Sequence, residues 1–177
     1  MALPLPLPLD HPTLPGLHLR RLRPSDAAAF HAAVTTYEIG RMLFMFPTDW
    51  PLSAAEAYLR DLIPRATAPF RLAIDAGDGV FLGSIGLVSQ NPAELAFFLV
   101  PEAQRQGVMR AALDGLVDMV FAHLDTPALQ ARVYHDNPTS MAVLRRAGFV
   151  ETGTTIGTCS AQRAGAERLH SFVLTRA

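Results

Sequence analysis

The sequence has 177 residues and a formal net charge of −1, and half of its residues are apolar while 18% are charged. This composition fits one globular domain with a sizeable core, excludes an intrinsically disordered chain and gives no reason to expect a nucleic-acid partner. Because the 15 basic residues are all arginines and Cys159 is the one cysteine, lysine Schiff-base chemistry, an internal disulfide and a multi-cysteine metal site are excluded as well.

The first 15 residues alternate leucine with proline and lack the basic start of a signal peptide. We predict a flexible or surface-docked arm for residues 1–15, because alternating prolines favour an extended backbone. Residues 16–177 are predicted to form a single domain. No apolar stretch approaches the roughly 18 residues that a membrane-spanning helix needs, so we expect a cytoplasmic protein with no membrane partner.

A strand and two helices are predicted next. Residues 17–22 alternate apolar and basic side chains, which is typical of a half-exposed strand. Pro24 marks the start of a helix, and Ser53 with Glu56 forms a capping box that predicts the start of another. Between these helices, residues 37–51 have no clean period and are predicted to form loop or short helical pieces.

The middle of the chain contains a hairpin and a buried strand. Residues 70–75 and 80–88 are apolar, β-prone runs separated by an Ala-Gly-Asp-Gly turn. Residues 93–100 are almost continuously apolar, which indicates a strand buried on both faces. The remaining predicted elements are helices over 107–123 and 140–146 and strands over 129–134 and 168–175. This order predicts an α/β layer on a mixed sheet.

A polar loop separates the buried strand from the longest helix. The first N–H groups of a helix are unpaired and carry partial positive charge, so they suit an anion such as a pyrophosphate. Gly107 would let the backbone approach that anion, and Arg105 and Arg110 flank the position. On these residues alone, an ordinary loop before a helix explains the pattern equally well.

Other segments resemble the GNAT superfamily of acetyltransferases. Residues 104–109 (QRQGVM) are similar to its Q/R-x-x-G-x-G/A pyrophosphate loop, and residues 137–153 (NPTSMAVLRRAGFVETG) resemble its N-x-x-S helix followed by G-F-x-x-x-G. The first strand and helix, the hairpin with G-S-I-G-L and the last strand are also similar. The resemblance therefore extends from Leu17 to Thr175 in the family's order.

The branch is indicated by two positions. Leu144 stands where many GNAT enzymes have a tyrosine acid, as in the RimJ/RimL-like branch that acetylates the N-terminal amines of ribosomal proteins. Met109 departs from the usual Gly or Ala of the loop. The resemblance implies a GNAT fold, which is an α/β (α+β) fold with a mostly antiparallel, twisted mixed sheet of about seven strands. It also implies helices on both faces and a splayed central strand pair.

Site residues follow from this resemblance. Acetyl-CoA, the implied co-substrate, would lie beside strand 94–100, where the Phe98 N–H polarises the thioester and Leu99 and Val100 hold the pantetheine. Asn137 would bind the CoA arm. The diphosphate would be held by Arg105, Gln106, Gly107, Val108, Met109 and Arg110. No metal is implied.

The implied reaction is attack of a neutral amine on the thioester, which needs a base and a proton source for the leaving thiolate. Glu94 occupies the position of the base in some family members and would act through water, and Ser140 would protonate or stabilise the thiolate. The residues leave other roles open: a surface carboxylate for Glu94, a helix cap for Ser140 and a turn for Asn137.

Three functions remain open at this stage. The first is acetylation of a protein N-terminal α-amine, as in ribosomal proteins, and the second is acetylation of a small amine such as an amino acid, polyamine or antibiotic. The third is a non-catalytic module that binds acyl-CoA. The protein would be a monomer or homodimer. The acceptor would be bounded by residues 37–51, whose apolar members form either a pocket or core: Met42, Phe44, Met45, Phe46 and Trp50.

Overall fold

The computed structural model describes residues 3–65, 67–157 and 160–176, and Cys159 lies outside these ranges. Eight strands form one sheet in the order β1-β2-β3-β4-β5-β6-β8-β7. The strands are Leu7–Pro8 (β1), His18–Arg21 (β2), Phe70–Asp75 (β3), Phe81–Gln90 (β4), Ala93–Leu99 (β5), Ala128–Tyr134 (β6), Val150–Gly157 (β7) and Glu167–Thr175 (β8). Neighbours are antiparallel except β5 and β6, which run parallel. The predicted mixed, mostly antiparallel sheet is confirmed.

Helices cover both faces of the sheet, also as predicted. They are Ala27–Thr35 (α1), Tyr37–Gly40 (α2), Leu52–Leu62 (α3), Val108–His123 (α4) and Pro138–Arg146 (α5). Side chains of α1, α2 and α3 form one apolar cluster on what we call the α1/α3 face. Side chains of α4 and α5 form a second, larger cluster on the opposite face, the α4 face. Alternation of side chains along each strand assigns neighbouring residues to opposite faces.

Two local features differ from the sequence-based expectations. The helix α3 begins at Leu52 after Pro51, and no side chain caps it, so the predicted capping role of Ser53 is wrong. Proline at the cap position already fixes the extended backbone that precedes a helix. The edge strand β7 was not expected, because its side chains are nearly all exposed and therefore show no apolar alternation.

The N-terminal segment is docked on the domain from residue 3 onward. Strand β1 pairs with β2, and Leu3 and Leu9 are buried against the α4 face. Leu9 packs so closely on Gly115 of α4 that a Cβ at this glycine would overlap it. The leucines of this segment gain apolar burial in this position.

Two kinds of feature are missing from the described residues. None of their helices is long and apolar enough to cross a bilayer. Nor do three histidine, cysteine, aspartate or glutamate side chains of these residues come together as metal ligands.

Candidate active site

The parallel strands β5 and β6 are splayed. Along their described lengths they share a single paired position, Glu94 with Gln130. By contrast, β5 pairs with β4 along its whole length and β6 pairs with β8. The backbone groups of β5 that face β6 beyond Glu94 therefore lack a strand partner. An extended ligand could pair with them as an added strand does.

The ladder between β5 and β4 shows which amides face this gap. Val100 N–H donates to the Leu82 carbonyl on β4 at 3.0 Å, and amides of an antiparallel strand point alternately toward the partner and away from it. Phe98, two residues earlier, therefore also directs its N–H to β4, whereas Phe97 and Leu99 face the gap. The Leu99 carbonyl agrees, because it accepts a hydrogen bond from the following loop at 3.2 Å. The predicted role of the Phe98 N–H is corrected accordingly, since the ladder occupies that amide.

A salt bridge ties the closed end of the gap. Arg132 on β6 donates from Nε and Nη2 to the two oxygens of Glu94 on β5, at 2.8 and 3.1 Å. The Glu94 side chain is 14% exposed. Its Cα lies three residues from Phe97, which corresponds to about 10 Å along a strand. Arg132 therefore fixes the position of the Glu94 side chain, which stands away from the gap-facing amides.

The loop before α4 lies at the open end of the gap. Arg105 and Gly107 both have positive φ angles, 61° and 84°. Left-handed residues alternating with right-handed ones turn successive N–H groups toward a common point, which is an anion-binding arrangement. The first N–H groups of α4 add to it. Residues 105–109, which are predicted to hold the diphosphate, form this loop and the start of α4, and their binding role remains a prediction. The sixth predicted residue, Arg110, is paired with Asp114 at 2.6 Å.

Met109, the departure from the family loop, is accommodated without blocking it. Its side chain is 8% exposed and belongs to the apolar cluster of the α4 face. Val108 beside it is buried in the same cluster. Both side chains therefore point into the core, and the loop presents backbone to solvent.

His11 of the N-terminal segment holds the same loop. Its Nδ1 accepts hydrogen bonds from the N–H groups of Thr13 and Leu14, at 3.3 and 3.2 Å. The ring proton of the neutral side chain must then lie on Nε2, which is 2.7 Å from the Gln106 carbonyl oxygen. A Cβ on Gly107 would meet His11 Nε2 at 3.4 Å. The buried His11 side chain thus holds the loop through Gln106 and lies beside Gly107. No sequence pattern had indicated a role for His11.

Asn137 and Ser140 lie at the start of α5, near the carboxyl end of β6. The Asn137 side-chain oxygen accepts the N–H of Ser140 at 3.1 Å, so Asn137 is the helix cap. The alternative role of Ser140 as the cap is therefore wrong. Ser140 is partly exposed, and its contact with a ligand remains a prediction.

A clamp formed by residues 160–163 holds the predicted acceptor wall. Gln162 Nε2 donates to the carbonyls of Val34 and Phe46, at 2.9 and 2.7 Å. The hydroxyl of Ser160 donates to the Gly40 carbonyl at 3.0 Å. A Cβ at Gly40 would overlap the Gln162 side chain. These bonds cross more than a hundred residues of sequence, which is why no local pattern revealed the clamp.

Ion pairs extend the clamp to the start of α5. Asp136 accepts from Arg41 at 2.5 Å and from Arg163 at 2.8 Å. Partial burial alone would raise the pKa of Asp136, but the hydrogen bonds from Arg163 and Arg41 outweigh it and lower the pKa to about 2. Asp136 therefore stays ionised and joins the acceptor wall to the end of β6.

The apolar side chains of the predicted acceptor wall differ in burial. Phe46 is 1% exposed and packs with Trp50 and Tyr58, so its core alternative holds. Phe44 packs on Tyr134 at the end of β6, with ring centroids 5.2 Å apart. Met42 accepts a weak hydrogen bond from the clamp and Met45 is exposed.

One further residue was missed. Arg71 on β3 is 5% exposed on the α1/α3 face and pairs with no carboxylate of the described residues. The sequence did contain a sign of this residue. Arg71 is the one charged residue in the run FRLAI, and the strand is otherwise apolar up to Asp75. The expected hairpin explained that run without it.

Comparisons with known proteins agree with this geometry. A family model described as an acetyltransferase (GNAT) domain matches residues 16–150. No curated protein sequence matches the chain. Solved structures with the same fold include a spermidine N-acetyltransferase from Vibrio cholerae in complex with CoA and spermine. Its TM-score is 0.80 at 20% identity, over 90% of this chain and 95% of that one.

Two further structures with bound CoA or CoA-disulfide are also similar in fold. RimL, a ribosomal L7/L12 α-N-protein acetyltransferase in complex with CoA, has a TM-score of 0.75 at 18% identity, over 93% of this chain and 96% of that one. Mycobacterium smegmatis RimJ, in complex with CoA-disulfide, has a TM-score of 0.76 at 23% identity, over 90% and 81%. Because the family model covers most of the sequence, the chain belongs to the GNAT acetyltransferase family, as its motifs predicted.

Proposed function

We propose that the protein transfers an acetyl group from acetyl-CoA to a primary amine, namely the N-terminal α-amine of a protein. The observation that carries the proposal is the splayed pair β5 and β6, with an anion-binding loop at its open end. Such a gap suits an extended arm that ends in a pyrophosphate. The CoA complexes of the similarly folded RimL and RimJ support the choice of donor. RimL, a ribosomal L7/L12 α-N-protein acetyltransferase, also supports the choice of acceptor.

The residues near the gap would have separate roles in binding and in the reaction. Leu99 would hold the pantetheine, and Phe97 N–H, which is nearer the closed end, would polarise the thioester carbonyl. The amine attacks the carbonyl carbon, the carbon–sulfur bond breaks, and the thiolate takes a proton that Ser140 supplies or relays. Glu94 would accept the amine proton through water, with Arg132 holding its carboxylate in place.

An α-amine is the less demanding acceptor for this arrangement. Its pKa is about 8, against about 10.4 for a lysine side chain, so more of it is neutral near pH 7. A weak base that acts through water is then sufficient. A small-amine acceptor is the second candidate, favoured by the similar fold of the spermidine acetyltransferase.

The test is release of CoA from acetyl-CoA in a Cys159→Ser background, which removes the chain's one thiol. The acceptors are peptides with varied N-termini, the same peptides blocked by N-acetylation, and small amines. We expect turnover with free peptides and none with blocked ones. Turnover with small amines alone would replace the protein acceptor by the second candidate.

Two variants separate an enzyme from a binding module. Ser140→Ala and Glu94→Gln should each lower kcat while acetyl-CoA still binds in a direct titration. Binding without any turnover in the parent protein would favour the non-catalytic module. Failure of acetyl-CoA to bind would overturn the proposal itself.

A further inference from the structure

Two polar side chains on the α1/α3 face are buried with unsatisfied atoms. Arg71 on β3 is 5% exposed, and its Nη1 has no hydrogen-bond partner among the described residues. Its Nε donates to the Tyr58 hydroxyl at 3.2 Å. Ser84 on β4 is fully buried, and its Oγ likewise has no partner in the described chain. A guanidinium group keeps its charge in the physiological range, so Arg71 is a buried and uncompensated cation.

Other buried arginines of this protein are paired. Arg20 is 4% exposed and bonds both Asp26 and Asp75, at 2.8 and 2.5 Å. The Arg163 side chain is 6% exposed and lies within 4 Å of two carboxylates. A buried charge without a partner lowers stability considerably. An anion from outside the chain would therefore be needed to compensate the charge of Arg71.

The strand register places Arg71 beside the gap. Arg71 lies opposite Gly86 on β4, and Gly86 lies opposite Ala96 on β5. These two small residues form a floor on the α1/α3 face that leads from Arg71 to the gap-facing amide of Phe97. Ala96, at the gap end of this floor, is partly exposed, whereas Gly86 is buried. Ser84 is the diagonal neighbour of Arg71 across the strands, about 7–8 Å away, within reach of the same ligand.

Two carboxylates of the candidate site are already paired. Glu94 is bound by Arg132, and Asp136 is bound by Arg41 and Arg163. A polycationic amine would therefore compete with arginines for each of these carboxylates. An amine that carries a negative charge would instead meet an arginine with unused donors.

We propose that Arg71 and Ser84 bind a carboxylate that the acceptor carries close to its reactive amine. This inference rests on the proposed function, because it names the acceptor class of the same site. Arginine binds carboxylates through parallel N–H donors, and Ser84 supplies a further hydroxyl donor. An acceptor with an amide in place of the carboxylate leaves the charge of Arg71 buried and unpaired. The site therefore rejects it more strongly than a simple loss of contact would.

The carboxylate could be the α-carboxylate of a free amino acid or the side chain of an acidic first residue in a peptide. Two acceptor pairs distinguish these sources. Alanine against alaninamide tests the α-carboxylate, and a peptide beginning with Asp against the same peptide beginning with Asn tests the side chain. We expect kcat/KM to favour the carboxylate by about tenfold or more in one pair, as for a hydrogen bond to a charged group. Equal values in both pairs would overturn the inference and leave the proposed function intact.

The variant Arg71→Met tests the residue. It should abolish the preference for the carboxylate while leaving the melting temperature unchanged or higher, because an uncompensated buried charge is removed. Arg60→Gln, at an exposed arginine of α3, is the charge-matched control and should keep the preference. A folded Arg71→Met variant that still prefers the carboxylate would contradict the assignment.

A second readout needs no turnover. N-acetylaspartate, a product of the acidic acceptor class, should raise the melting temperature of the parent protein more than N-acetylasparagine does. N-acetylalanine should likewise exceed N-acetylalaninamide if the α-carboxylate is the group recognised. Arg71→Met should lose the difference. Equal shifts within both pairs would overturn the inference even if the protein proved inactive as an acetyltransferase, in which case the proposed function would fail separately.

Discussion

The α4 face of the sheet packs against α4 and α5 through a continuous apolar cluster, whereas the α1/α3 face buries charged groups beside its apolar side chains. Four charged residues that are at most 5% exposed, Arg20, Asp26, Arg71 and Asp75, lie on the α1/α3 side. Apolar contacts are non-directional, so the α4 face needs only shape and volume. Buried charged groups need oppositely charged partners, and their pairing shows which of them are satisfied within the chain itself.

The two buried arginines of that face are informative because they are equally buried on neighbouring strands. Arg20 on β2 has two aspartate partners, and Arg71 on β3 has a tyrosine hydroxyl alone. Removing Arg20 would leave buried carboxylates unpaired, whereas the unused donor of Arg71 is free for the proposed ligand. The proposed acceptor site lies where the pairing is incomplete.

The largest expected effect is a difference in stability between variants of these two arginines. Arg20→Met leaves Asp26 and Asp75 buried without their cation, so we expect the free energy of unfolding in urea to fall by about 3–5 kcal/mol. The matched variant Arg71→Met strands no carboxylate, and its free energy of unfolding should change by less than about 1 kcal/mol or rise. Equal losses in the two variants would remove the distinction.

Low pH should weaken the network of Arg20 and Asp75 but should not affect the contribution of Arg71. Burial alone would raise the pKa of Asp75, but hydrogen bonds from Arg20, Gly77 and Gly79 outweigh it and lower the pKa from 3.8. A carboxyl whose pKa is lower in the folded state stabilises the fold above its unfolded pKa and loses that contribution as the pH falls through the folded pKa.

Asp75→Asn should therefore lower the melting temperature at pH 7, and less than Arg20→Met does because Asp26 remains. It should also flatten the fall in melting temperature below about pH 4. Arg71→Met should leave the acid dependence of the parent protein in place. An identical acid slope in the parent and in Asp75→Asn would show that this pair is not what acid disrupts.

The hydroxyl of Tyr58 sharpens the comparison further. Tyr58→Phe removes the bond to Arg71 Nε and leaves another buried donor unsatisfied, so we expect a loss of about 1–3 kcal/mol in the free energy of unfolding. In an Arg71→Met background the same change should have almost no effect. A double-mutant cycle from urea unfolding measures this coupling, and additive losses would mean that the bond is not made in solution.

The smallest expected effect concerns the loop at the open end of the gap. His11→Ala removes one hydrogen bond to Gln106, worth about 0.5–1.5 kcal/mol, so KM for acetyl-CoA should rise roughly two- to tenfold. His11→Gln retains an N–H donor at that reach and should restore much of the loss. KM for the acceptor should not move, because Arg71 lies on the opposite face. A change in the acceptor KM alone would contradict this separation.

Sequence patterns predicted most of the fold because strands and helices with one buried face have regular apolar spacing. The run 70–75 is a strand with the predicted bounds, and α4 differs by one residue. The strand β7 was not predicted because its side chains are exposed, and β1 was not predicted because two residues cannot show a period. Motif spacing located the loop before α4 correctly, since its conformation is set by local glycine and helix geometry.

The site was predicted less completely for geometric reasons. Whether Phe97 or Phe98 directs its amide to the gap depends on strand register, which is a property of pairing and not of residue type. The roles of Arg71 and Gln162 depend on contacts between distant segments, or on their absence. Such features have no signature in the spacing of neighbouring residues.

The clamp at residues 160–163 has a consequence for the order in which the protein becomes functional during synthesis. The carbonyls of Val34 and Phe46 emerge from the ribosome early, but the Gln162 side chain that binds them follows 128 and 116 residues later. Contacts between such distant segments form late in folding, because closing a long loop costs chain entropy. We therefore expect a nascent chain to form the loop before α4 earlier than the contacts by which the clamp holds residues 34–46.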